Sequence, residues 1–430
     1  MAGQRIAAFA WQMLGQSSTP NADASGSFLS PVSLYIALGL ALNGAGSGSD
    51  TEQQIFHLLH QDKARLLGLL APKPAAAADV QQLTTELAAL SSSLVQQQQQ
   101  QQGDKEDGSK AEGGAQLIIA NGVWTKGVPV HEAYAAKMLQ LFKHVIHEAY
   151  AAKMLQLFKA EVRDVASVDP INAWAAAATK GLISVAVPPG TDFDLVLTNA
   201  VYFKGLWEYA FKKEATSRQA FKLGAGHEVQ VDMMSKRFKA ADQSAPGARK
   251  VQYAETSSYQ AVRLPYKGST ISALIVLPSE HLAVQGIAAA AAQLDVGDLL
   301  DATKFRNVGP AGLDVQLPKF KVKTQPTSLK KELVALGLSA PFADKAADFS
   351  QLSPQPLYIS DVLQSVCVIV DEEGTEAAAV TAVIMMRATA VMAATPLIRF
   401  DRPFLFMLVD DASSTPLFVG TVSDPSKSPQ

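Results

Sequence analysis

Residues 371–387 read D-E-E-G-T-E-A-A-A-V-T-A-V-I-M-M-R, passing from acidic through small to apolar side chains and ending on a cation. Taken as a strand, the stretch has a period of two. One face then carries Thr375, Ala377, Ala379, Thr381, Val383 and Met385, and the other Glu376, Ala378, Val380, Ala382, Ile384 and Met386. The first face is uncharged and is smallest next to Gly374, so it can enter a sheet and meet a core. The one carboxylate after that glycine points the other way. No proline falls between Gly374 and Thr395, which leaves every backbone N–H there available for a ladder. Composition alone suits an Ala-rich helix equally well, so the surrounding chain has to decide.

Upstream, Ser30 and Pro31 suit the N-cap and first position of a buried helix over the apolar run to Leu42, which Gly44 to Ser49 end. Ser49 with Glu52 has the spacing of a capping box ahead of a second short helix. The first fourteen residues read as an amphipathic helix and lack the apolar region and cleavage site of a signal peptide. Strand patterns follow at Leu195–Phe203, Ile271–Leu277, Leu313–Lys323, Ser365–Val370, Leu405–Val409 and Leu417–Val422, with a further helix near Ser328–Leu338. Helices and strands are segregated, which predicts α+β over a doubly wound sheet.

Two segments stand apart. Residues 96–102 are seven consecutive glutamines followed by a polar run, so 96–115 read as a disordered Gln-rich insert. His131–Lys143 is repeated residue for residue at His147–Lys159, so 131–159 read as a local tandem duplication of a surface helix.

The chain has 430 residues and a net charge of -3, which argues against binding nucleic acid or acidic membranes through basic clusters. No run of 18 apolar residues is long enough to span a bilayer. A single cysteine excludes an internal disulfide and favours a reducing compartment, and Cys367 within Val-Cys-Val-Ile-Val reads as a buried hydrophobe. No nucleophile elbow, zinc helix, phosphate-binding loop or EF-hand loop occurs, and none of the seven histidines lies in the last third. The i,i+3 pairs His57/His60 and His144/His147 read as surface residues, not metal ligands. The expectation is no enzyme, no metal and no cofactor.

The order of segments decides the reading of 371–387. F-L-S-P-V-S at 28–33, L-T-N-A-V-Y-F-K-G-L-W at 197–207, E-E-G-T-E-A-A-A at 372–379, F-D-R-P-F-L-F at 400–406 and P-L-F-V-G-T-V-S-D-P at 416–425 together resemble the serpin family over nearly the whole chain. The resemblance implies one domain, 1–430, with three β-sheets, about nine helices and an exposed reactive-centre loop at 374–400. It implies a suicide-substrate inhibitor whose loop, once cleaved, inserts into the main sheet while the protease stays attached as an acyl-enzyme. Strand addition of this kind is a general mode of β-augmentation and strain release. A non-inhibitory chaperone, carrier or storage protein of the same fold is the alternative.

By the same resemblance Glu373, Gly374, Thr375, Glu376, Ala377, Ala378 and Ala379 are the hinge, Trp207 belongs to the breach, and Ser30, Ser33 and Asn199 to the shutter. Many relatives have a histidine where this chain has Gln364, so a pH-sensitive shutter is in doubt. The commonest family spacing from Gly374 puts the cut between Ala388 and Thr389. A loop one residue shorter selects Arg387–Ala388, the reading favoured here because Arg387 is the only charged side chain between Glu376 and Arg399. The expected partner is a trypsin-like serine protease or an Arg-directed cysteine protease, acting on a cytoplasmic monomer, with leaderless release to the extracellular space as the alternative. Gln81–Leu94 contains no Lys or Arg, so no glycosaminoglycan is expected.

Overall fold

Ser30 caps the helix Pro31–Gly44, its Oγ accepting from Ser33 N at 3.4 Å while Pro31 takes the first turn, where a missing N–H costs nothing. That helix is apolar on all sides and is buried along nearly its whole length. Ser49 caps Asp50–His60 by accepting from Glu52 N at 3.1 Å, and Glu52 returns the interaction one residue earlier than expected, accepting from Gly48 N at 2.7 Å. The computed structural model describes residues 2–16, 26–61, 76–100, 115–143, 158–224, 226–245, 247–375 and 395–427. Among these lie ten α-helical segments and three β-sheets, the α+β arrangement expected.

The large sheet runs in the order Phe320–Lys323, Ile359–Val370, Leu195–Leu206, Gln116–Lys126, Phe158–Val165. Its central pair, Ile359–Val370 with Leu195–Leu206, is parallel and in register from Ile359↔Leu195 to Val368↔Phe203. Odd-numbered Leu195, Leu197, Val201 and Phe203 face a core shared with helix Pro31–Gly44 and with Phe404, Phe406 and Leu417 of a second sheet. Even-numbered Val196, Ala200 and Tyr202 face Ile171, Ala175 and Ala178 of helix Asp169–Ala178. Both faces of this strand are therefore buried, as its near-continuous apolar sequence requires.

Several boundaries differ from the sequence reading. Leu313–Lys323 is two strands in two sheets: Leu313–Pro318 pairs with His227–Phe238, and Phe320–Lys323 pairs with Ile359–Val370. Lys319 makes the crossing. Helix Ala77–Gln100 runs into the glutamine tract, in keeping with the good helix propensity of Gln, and Ala115 is buried at the start of the next strand; 101–114 lie outside the described residues. The first copy of the repeat is the helix Glu132–Lys143, but the second ends as strand, because Phe158 and Lys159 open the edge strand Phe158–Val165. The remainder of the second copy lies outside the described residues. His57 is buried, not a surface residue, while His60 is exposed and stacks on Phe56 with centroids 4.8 Å apart. Cys367 is buried as expected.

Candidate functional site: the parted end of the central strand pair

Beyond Val368↔Phe203 the parallel pair separates, and the chain after Val370 turns back into the gap. Asp371 forms the turn, its Oδ1 accepting from Glu373 N at 2.9 Å and Gly374 N at 3.1 Å, while its own N–H donates to Gly374 O at 2.9 Å. Gly374–Thr375 then pair antiparallel with Leu206 and Gly205. Gly374 has φ +149°, and a Cβ there would sit 2.1 Å from Gly205 O, so only glycine fits.

The hinge is held from several elements. Trp207 N donates to Glu373 O at 2.9 Å, Trp207 Nε1 to Asp371 O at 3.0 Å, and Phe211 N to Glu372 O at 2.8 Å. The Trp207 ring stacks on Tyr266, centroids 4.5 Å apart. Glu372 is buried and accepts from Thr216 Oγ1 at 2.8 Å and Lys319 Nζ at 3.0 Å. Burial works to raise its carboxyl pKa, but the bonds from Lys319 and Thr216 outweigh it and hold the group below the usual range. Burial instead raises Asp371, with its two backbone donors opposing the shift. Lys213 Nζ lies 2.7 Å from Glu373, which raises the lysine pKa.

Lower on the sheet the residues expected to form a shutter meet. Gln364 Oε1 accepts from Ser30 N at 2.8 Å and its Nε2 donates to Ser30 O at 3.2 Å. Ser33 Oγ lies 2.9 Å from Asn199 Oδ1 and 3.0 Å from Asn121 Oδ1. Asn121, Asn199 and Gln364 are in register, forming a row of amides across three neighbouring strands. Asn199 Nδ2 is buried without a hydrogen-bond partner among the described residues.

The structure thus brings together Ser30, Ser33, Asn199 and Gln364 in one cluster and Trp207, Glu373 and Gly374 in another, with Thr375 continuing the second in its backbone pairing. Glu376 to Ala379 and the reactive-bond candidates Arg387, Ala388 and Thr389 lie outside the described residues. The far end of the 374–400 segment is corrected: Leu397–Arg399 is a strand pairing in parallel with Leu313–Pro318, and Phe400 is fully buried. Sequence reading passed over Asn121, Lys319, Thr216 and Lys213. Only Asn121 carried a local signal, as an amide inside the apolar strand Gln116–Lys126.

Comparison with known proteins shows the family and the fold. The serpin (serine protease inhibitor) family model matches residues 4–425. Glia-derived nexin of Rattus norvegicus is 32% identical over 318 residues, covering 72% of this chain and 73% of that protein. An uncharacterized serpin-like protein of Methanosarcina acetivorans is 31% identical over 318 residues, 72% of this chain and 68% of its own. The crystal structure of the thermophilic serpin tengpin in the native state superposes with a TM-score of 0.71 at 23% identity, covering 98% of this chain and 93% of that one.

Proposed function

Because the chain belongs to the serpin family, we propose that it is an irreversible suicide-substrate inhibitor of trypsin-like serine proteases or Arg-directed cysteine proteases, cut between Arg387 and Ala388. The observation that carries the reading is the antiparallel start Gly374↔Leu206, Thr375↔Gly205 at the parted end of a parallel pair. A parallel pair has room between its members for one antiparallel strand, provided the two separate.

Continuing that register sets Glu376 opposite Lys204, Ala377 opposite Phe203, Thr381 opposite Asn199 and Met385 opposite Leu195, the first residue of the strand. Directly opposed residues share a face. Thr375, Ala377, Ala379, Thr381, Val383 and Met385 therefore enter the core lined by Leu197, Val201 and Phe203, and Glu376 meets the part-exposed Lys204 on the other face. Insertion gives the segment a full ladder and apolar burial. The strand ends at Leu195, so Met385 completes the insert and Arg387, two residues on, remains outside it, attached to the protease. This end point supports Arg387–Ala388 over Ala388–Thr389. The single buried Cys367 fits work in a reducing compartment.

The test is incubation with trypsin and with a papain-like protease, followed by denaturing electrophoresis and mass spectrometry. A covalent complex and a released C-terminal fragment beginning at Ala388 are expected. Simple cleavage without complex would mark a non-inhibitory relative. Ala377→Arg should turn the inhibitor into a substrate, since insertion would bury an unpaired charge.

A further inference from the structure

The repeat of His131–Lys143 at His147–Lys159 has no part in loop insertion, yet the first copy occupies a well-defined groove. Tyr134 is buried and donates to Leu40 O at 2.8 Å. Its ring lies beside Gly44, where an added Cβ would come within 3.4 Å of Cε2. Met138 is fully buried, and His131 N donates to Leu352 O at 2.8 Å. Every one of these anchors recurs, as Tyr150, Met154 and His147. The lead-in is matched too: Val130, part-buried against the core, corresponds to Ile146.

We propose that this groove is a two-register site that accepts either copy. In one register Glu132–Lys143 fills it and the surplus residues connect the helix to the edge strand. In the other, Glu148–Lys159 fills it and the surplus lies between Lys126 and the helix. Identical side chains make identical contacts in the groove, so the registers differ in their connections and in the first two rungs of the edge strand. Moving surplus chain from one side of a docked helix to the other changes loop-closure entropy little. The second register takes Phe158 and Lys159 out of the ladder they make with Ile119 and Ala120, which is the physical reason the first predominates. Two rungs of an edge strand are a small difference, and either state is within reach.

The groove itself can be asked which copy it holds. Tyr134→Ala alone should lower Tm by no more than about 2 °C, because the second copy takes over, while Tyr134→Ala/Tyr150→Ala should lower it by roughly 5 °C or more. Deleting 131–146 leaves one copy and should preserve Tm, and Tyr150→Ala on that background should then carry the whole loss. Hydrogen exchange gives the direct readout and serves where the double variant fails to fold. In Tyr134→Ala, slow-exchanging amides should move from 132–143 to 148–157. A Tyr134→Ala variant as damaged as the double, or one whose protection stays at 132–143, overturns the proposal.

Discussion

Gly374 lies opposite Leu206 in antiparallel register, three residues past the last rung that Leu195–Leu206 shares with its parallel neighbour. The position next to this strand is therefore already held, at one end, by chain running the opposite way. Its seat depends on glycine, since a Cβ at 374 would meet Gly205 O, Leu206 Cα and Trp207 N within 2.8 Å. Gly374→Ala should cost about 1–3 kcal/mol of stability through strain and loss of this pairing. It should also raise the fraction of inhibitor lost as cleaved substrate. Unfolding in denaturant and the stoichiometry of trypsin inhibition measure the two effects, and an unchanged stoichiometry would show that the pre-seated rungs do not help insertion.

Glu372 and Asp371, adjacent and both acidic, should respond to pH with opposite sign. The Glu372 carboxyl is held below its ordinary 4.5, so its contribution is complete above that pH and is lost as pH falls through the lowered value. Asp371 is raised above 3.8, so its ionisation works against the fold, and that cost appears as pH rises through the raised value. Glu372→Gln should cost about 1–3 kcal/mol at pH 7 and remove part of the stability loss below pH 4.5. Asp371→Asn keeps the acceptor oxygen for Glu373 N and Gly374 N and should be neutral or stabilising. Denaturant melts from pH 3 to 7 decide, and a large loss in Asp371→Asn would contradict the burial argument.

How much of this was legible beforehand follows from where each interaction is encoded. Ser30–Pro31 and Ser49–Glu52 are local caps, and both helices begin where those residues demand. The expected hinge rests on a pattern within one segment, small residues after a glycine, of which Glu376 to Ala379 lie outside the described residues. Lys319 was not, because its partner Glu372 is distant in sequence and the link exists only once Leu313–Pro318 and Phe320–Lys323 go to different sheets. The alternation does change phase at the crossing, apolar at Leu313, Val315 and Leu317 and then at Phe320 and Val322, but that shift does not point to Glu372 as the partner of Lys319. Asn121 likewise joins Asn199 and Ser33 through pairing register, a property of two strands together.

Gln364 gives the shutter two neutral hydrogen bonds to Ser30 and no charge to gain. Stability and inhibition rate should therefore show no transition between pH 5.5 and 7.5 that Gln364 variants remove. Gln364→Ala should cost about 1–3 kcal/mol, since Ser30 N is left buried without its acceptor. Gln364→His should introduce a titration, with stability falling on acidification as a buried imidazole is asked to take up charge. Thermal melts across this range would expose the idea as wrong if wild type and Gln364→His showed the same pH profile.

Asn199 has one end of its side-chain amide satisfied and the other without a partner among the described residues. Its Oδ1 accepts from Ser33, but its Nδ2 is buried, and such a donor carries a desolvation cost of about 1–3 kcal/mol until something accepts from it. The register that begins at Gly374↔Leu206 brings Thr381 opposite Asn199 and onto the same face. Thr381 Oγ1 would then arrive beside Nδ2 and accept its hydrogen bond, so insertion would satisfy a donor that has no partner among the described residues. Thr381→Val keeps the shape and β-branching and removes only the acceptor. On this reading the bond forms only on insertion, so the intact variant should melt like wild type. After loop cleavage the rise in stability should be smaller than in wild type by about 1–3 kcal/mol. Comparing intact and cleaved forms of both proteins by calorimetry isolates the effect. An equal rise in the two would mean that Asn199 finds its partner elsewhere or that the loop enters in a different register.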